Sequence, residues 1–283
     1  MHVLQEDMAT RLFSPRVWRG FAPPNAFSPH GSVATGSSGN QAFGFFDDFL
    51  TFTETTLDGP YAILKGTGCT ASKVADTAAA KGILSLTLDG NADNDECVLK
   101  WGSTLSAPFY LTNNDLAFEC CLAISSIAAS KHDIAIGLGQ ADMITTDLLF
   151  GDTSGLADKN FAGFVKLAAA AGVFDGAYKA DGQTYQDGSQ KTKLNDLATF
   201  TASVTTYVKL GMRFRANPRT LEFYVNGVTP GGQITPARLT ASEIDAATFP
   251  DDAFLAPIIG LKDQAGDTAL NVQVDWWACA QYE

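Results

Sequence analysis

From residue 44 onward, apolar residues recur at every second position in run after run. In "ILSLTLDG" (83–90), Leu84, Leu86 and Leu88 share one side against Ile83, Ser85 and Thr87. "LAFECCLAIS" (116–125) aligns Leu116, Phe118, Cys120, Leu122 and Ile124, and "DIAIGLG" (133–139) aligns Ile134, Ile136 and Leu138 with only small residues opposite. "YVKLGMRFRAN" (207–217) sets Val208, Leu210, Met212 and Phe214 against Lys209, Arg213 and Arg215. "LEFYVNGV" carries Leu221, Phe223 and Val225, and "LNVQVDWWACAQYE" (270–283) closes with Leu270, Val272, Val274 and Trp276 in phase. A period of two is that of antiparallel strands with one face packed and one wet, so the prediction is an all-β body of two antiparallel sheets packed face to face.

Turn chemistry fits. Asn226-Gly227 is a type I′ signal, because both residues tolerate positive φ, and Asp89-Gly90 is a second candidate. Helix is scarce. "TASEIDAATF" (240–249) has a capping-box pattern from Thr240 to Glu243 and predicts one short helix. The stretches 140–163 and 182–203 read as long excursions from the sheets.

The first 43 residues lack either period. They are rich in Pro, Gly and Ser, with Phe13, Trp18, Phe21, Phe27 and Phe43 spaced along them, which predicts an extended arm (1–43) ahead of a single sandwich domain (44–283). Arg11, Arg16 and Arg19 outnumber Glu6 and Asp7 here, so the acidic excess of the chain lies in the rest. Each large ring gains about 1.5–3 kcal/mol when it leaves water. The arm is therefore expected to lie on a surface, of its own subunit or of a neighbour.

The 283 residues are 46% hydrophobic and carry a formal net charge of −12, enough for a large core but a poor match to phosphate backbones or anionic lipid. No nucleic-acid or membrane partner is expected, for no run of about 20 apolar residues occurs. The start, "MHVLQEDMATRLFSPRVW", has no apolar segment of the secretory kind, so the expectation is a protein made in the cytosol. Cys69, Cys97, Cys120, Cys121 and Cys279 match no zinc spacing and are expected reduced and mostly buried, with Cys97–Cys279 the disulfide left open.

The order "GFFDDF", "LTLDGNADNDECVL", "FECCLAISSI", "DIAIGLG", "GFVKL", "YVKLGMRFRA", "LEFYVNGV" and "LNVQVDWWACAQ" resembles a group of tailed-bacteriophage virion proteins with a concanavalin A-like (laminin-G-like) jelly-roll sandwich. The resemblance covers roughly residues 44–283. It implies a capsid cement or decoration protein, or a fibre component, and no enzymatic activity. The implied partner is the major capsid protein, the implied place the capsid exterior after assembly in the bacterial cytoplasm. A homotrimer follows by analogy with cement proteins. The arm lies outside the resemblance. Arg11, Phe13, Arg16, Trp18, Arg19 and Phe21 are its expected partner-binding residues, since Trp and Arg dominate interface energetics. The alternative is a glycan-binding module of a tail or capsid fibre, with Tyr224 and Trp277 as exposed sugar-stacking rings.

No catalytic constellation emerges. Some sandwiches of this kind are glycoside hydrolases with an E-x-D-x-x-E strand. The nearest match, "EIDAAT" (243–248), has Thr248 where the second Glu belongs, so Glu243 reads as half of a cap. "DGNADNDE" (89–96) gathers acids, but Asn94 and Lys100 break EF-hand spacing and a solvated turn is expected. His2, His30 and His132 are scattered, and no nucleophile elbow or phosphate loop occurs. Neither metal nor cofactor is expected.

Overall fold

A computed structural model describes residues 13–36, 39–49, 61–75, 82–91, 94–103, 106–128, 130–143, 156–169, 172–227, 237–244, 246–264 and 269–282. The strands are β1 (Ser32–Thr35), β2 (Gln41–Asp47), β3 (Tyr61–Lys65), β4 (Cys69–Ala75), β5 (Gly82–Leu88), β6 (Glu96–Trp101), β7 (Phe109–Tyr110), β8 (Leu116–Ile124) and β9 (His132–Gln140). They continue with β10 (Phe161–Lys166), β11 (Val173–Lys179), β12 (Ala198–Thr199), β13 (Ser203–Arg215), β14 (Thr220–Val225), β15 (Ala237–Thr240), β16 (Phe254–Asp263) and β17 (Leu270–Tyr282).

The strands form two antiparallel sheets. The first runs β1-β2-β17-β8-β13-β14-β15, with β5 also on β17 and β4 on β5. The second runs β12-β11-β10-β9-β16-β6-β3, with β7 beside β16. Between them lies one core built from the in-phase residues of the sequence, including Leu86, Phe118, Ile136, Phe164, Leu210, Phe223 and Ile259. This is the concanavalin A-like jelly-roll architecture, all-β and two-layered.

Four local expectations change. The boundary drawn at residue 43 falls inside β2, and sheet pairing starts at Ser32. The capping box closes a single turn, not a helix: Glu243 Oε2 accepts from the Thr240 N–H and hydroxyl, each at 2.9 Å, and among the described residues no α-helix forms. Asn226 and Gly227 do take positive φ, 52° and 74°. They end β14 ahead of a longer connection and make no two-residue hairpin. Finally, Cys69 of β4 is bonded to Cys97 of β6, joining one sheet to the other, while Cys120, Cys121 and Cys279 are buried outside any disulfide.

The largest departure is on the outer faces. Strands β6, β8 and β10 are buried along their whole length, with no wet side. On the second sheet the outward residues of the central strands are small, among them Ala135, Gly137, Gly139, Gly163 and Ala177. Phe161, Met143 and Leu156 pack over that floor as a separate apolar cluster. At Gly139 a Cβ would stand 2.5 Å from Met143 Sδ, so the covering segment seats only because glycine is there. On the first sheet the cover is the arm.

Candidate functional site

Residues 13–31 cross the outer face of the first sheet. Ser14 starts a tight turn, its carbonyl accepting from the N–H of Val17 (3.0 Å) and Trp18 (3.2 Å), and the Trp18 carbonyl accepts from Phe21 N–H (3.0 Å). This folding throws Phe13, Val17, Trp18 and Phe21 to one side, onto a platform that includes Ala117, Cys121, Tyr224, Trp276, Ala278 and Ala280. Phe13 meets Trp276 edge-on at 5.0 Å and Phe21 stacks on Tyr282 at 4.3 Å, geometries that add to area burial. Gly211 and Gly227 admit the arm, because a Cβ would lie 2.6 Å from Val17 Cγ2 at the first and 2.6 Å from Ser14 Oγ at the second.

One buried carboxylate fixes the register. Glu119 Oε2 on β8 accepts from the Ser14 N–H at 3.1 Å and from the Trp18 indole Nε1–H at 2.8 Å. Burial raises the pKa of Glu119, and the hydrogen bonds from Ser14 and Trp18 oppose the rise.

Beside the arm, β13–β15 present arginines outward. Arg213, Glu222 and Arg238 stand opposite one another across three strands. Arg213 donates to the Arg16 carbonyl at 3.3 Å, stands 3.7 Å from Asp115 and covers the Phe21 ring at 5.9 Å. Glu222 accepts the Tyr224 hydroxyl proton at 2.7 Å and has Arg238 Nε at 3.6 Å and Arg215 Nε at 3.9 Å.

The predicted site residues therefore separate. Phe13, Trp18 and Phe21 are buried against their own sheet, so in this state they offer no ring to a partner, whereas Arg16 and Arg19 are exposed. Arg11 lies outside the described residues. Both proposed sugar-stacking rings are corrected. Trp277 is 0% exposed and packs in the inter-sheet core against Phe45, Phe49 and Tyr61. The cause is a register shift between Val274 and Trp276, which inverts the phase of β17 and leaves Trp276 outward beneath the arm. Tyr224 is 6% exposed under the same cover, its hydroxyl spent on Glu222.

Sequence reasoning missed Glu119, whose signal was a lone acid on the outward side of an apolar strand. It also missed Phe254, 65% exposed at the start of β16 with its ring 5.2 Å from Tyr110. Of the acids weighed for chemistry, Glu243 is held down to about 2 by Lys193, at 2.6 Å, with the Thr240 N–H assisting, and so stays ionised. Asp89 and Asp95 converge on Gly68, and His132 opens β9, buried opposite Asp263. Among the described residues no three His, Cys, Asp or Glu side chains gather as a metal site, and no helix is long and apolar enough to cross a membrane.

Two antiparallel sheets packed around one core define the class by fold: a concanavalin A-like jelly roll. The solved structures agree. A protein of unknown function from Shewanella oneidensis MR-1 superposes with a TM-score of 0.54 at 13% identity, over 88% of this chain and 90% of that one. An endo-1,3-beta-glucanase from Streptomyces sioyaensis superposes with a TM-score of 0.50 at 12% identity, over 90% and 97%. No protein-family profile and no curated protein matches the sequence.

Proposed function

We propose that the chain is a non-catalytic structural protein of a bacteriophage virion, seated on the outside of the capsid as a cement or decoration protein, with the major capsid protein as its partner. The observation that carries this reading is that the chain itself covers a large part of each outer face, with Arg16 and Arg19 left exposed on the docked arm. Such a body offers contoured, filled surfaces to a partner in place of an open groove to a small ligand. The sequence resemblance to phage virion proteins supports the same reading.

The test is co-sedimentation of the full-length protein with capsid shells that lack it. Wild type is expected to bind saturably, and Arg16→Glu/Arg19→Glu to bind at least about tenfold more weakly, as truncated charge contacts do. Shells that pellet without the wild-type protein overturn the proposal.

Phe254 favours a second reading, a glycan-binding module of a tail or capsid fibre. A large ring left 65% exposed beside Tyr110 is the kind of platform on which a pyranose stacks. Glycan-array binding that vanishes in Phe254→Ala would select this reading over the first.

A further inference from the structure

Every arginine of the chain lies in the arm or within residues 213–238. Arg219 is tied at the sheet rim to Asp251, at 2.5 Å. Arg213, Arg215 and Arg238 share the outer face of the first sheet, and the exposed Arg16 adjoins them through its carbonyl bond to Arg213. On a chain of net charge −12 this is a local reversal of sign.

The cluster is not internally neutralised. One carboxylate, Glu222, faces three guanidinium groups, with Asp115 on the far side of Arg213. Arg213 is buried and committed to Arg16, Asp115 and the Phe21 ring. Arg215 and Arg238, with side chains 33% and 40% exposed, reach Glu222 only through Nε and beyond hydrogen-bonding distance. Among the described residues their terminal N–H groups meet no acceptor. Their strands, β13 and β15, run two spacings or about 10 Å apart, with the two residues offset by two positions along them.

We infer that this face binds a carboxylate-rich polypeptide segment, held by the outward forks of Arg215 and Arg238 with Arg16 at its flank. Guanidinium forks match carboxylate geometry in pairs of parallel hydrogen bonds, which an ammonium cannot do. The patch is narrow, and beyond it the chain is acidic. An extended polyanion such as a nucleic acid would therefore run from attraction into repulsion, while a short acidic segment fits within the patch. The inference rests on this charge geometry and stands independently of the capsid reading. Binding to capsids and binding to an acidic peptide can each fail while the other holds.

The test is fluorescence anisotropy of a labelled oligoglutamate of about 12 residues with the full-length protein, a length that spans the two forks several times over when extended. Expected are saturable binding at about 50 mM NaCl and its loss at about 500 mM, where the Debye length is only a few ångströms. Arg215→Glu/Arg238→Glu is expected to weaken binding at least about tenfold. Lys73→Glu/Lys191→Glu, the same charge change elsewhere, should weaken it less than about twofold. Arg215→Lys/Arg238→Lys keeps the charge and the fold but loses the forks, and should fall between the two. Equal weakening by the two glutamate pairs overturns the inference, as does the absence of binding to wild type. A sulfated oligosaccharide that binds where oligoglutamate does not also overturns it.

Discussion

Trp18 reaches across 101 residues of sequence to donate its indole N–H to Glu119, and that bond turns an aromatic-rich leader into part of the sandwich. Apolar contact alone would hold the arm loosely, since rings slide on a platform of alanines. The single buried acceptor, shared with the Ser14 N–H, sets where the rings land.

Removing that acceptor should cost more than removing its charge. Glu119→Leu strands two buried N–H donors and is expected to destabilise by about 2–4 kcal/mol, whereas Glu119→Gln keeps an oxygen at the site and should cost less than about 1 kcal/mol. Urea unfolding of the two variants checks the difference.

The same residue gives a pH dependence. Burial raises its pKa in the folded state above the ordinary glutamate value of about 4.3. The folded state then holds the proton longer than the unfolded one. The contribution is complete below about 4.3 and is lost as pH rises through the folded value. The unfolding midpoint of wild type should therefore fall across that window relative to Glu119→Gln, which lacks the titration.

Gly211 tests the cover without touching the core. A Cβ there would lie 2.6 Å from Val17 Cγ2, so Gly211→Val should lift the arm and leave the sandwich folded. Trypsin is expected to cut after Arg16 and Arg19 much faster in the variant, with far-ultraviolet circular dichroism unchanged. Equal cutting rates would show that Val17 does not hold the arm down.

Lys100 is wholly buried and donates to the carbonyls of Ser103 and Ser106, each at 2.6 Å. Burial pulls its pKa down to about 8, and Lys166 is likewise pulled down to about 8. The unfolded lysine, near 10.4, binds the proton more tightly, so stability should rise as pH increases through about 8. Lys100→Met should lower stability at neutral pH by about 1–3 kcal/mol by stranding the carbonyls, and should flatten that rise.

Thiol counting checks the cross-sheet bond. Alkylation of the denatured, unreduced protein is expected to modify three cysteines, Cys120, Cys121 and Cys279, and to reach Cys69 and Cys97 only after reduction.

Much of the sandwich was legible because a period of two survives in β5, β8, β9 and β13, whose in-phase residues all reached the core. The inversion in β17 was not. A register shift leaves no mark in composition, and the adjacent Trp276 and Trp277 look alike until one is seen against Phe45 and the other against Phe13. The covered outer faces were half legible. Small outward residues in "DIAIGLG" and unpaired rings in the arm were both visible, yet nothing local says that cover and platform belong to the same chain. The arginine cluster was invisible for another reason: Arg213 and Arg238 are 25 positions apart and become neighbours only through β14.

Strand β17 has its own consequence. It hydrogen-bonds β2, β5 and β8 and supplies Trp276, Ala278, Ala280 and Tyr282 to the platform beneath the arm. A ribosome releases residues 13–31 well before β17, so the arm waits without that part of its platform until the strand is made. Loop closure over nearly the full length of the chain makes this contact the slowest kind to form. Until it closes, the rings of the arm are open to capture by a chaperone or by a sister chain, and residues made early are seated late.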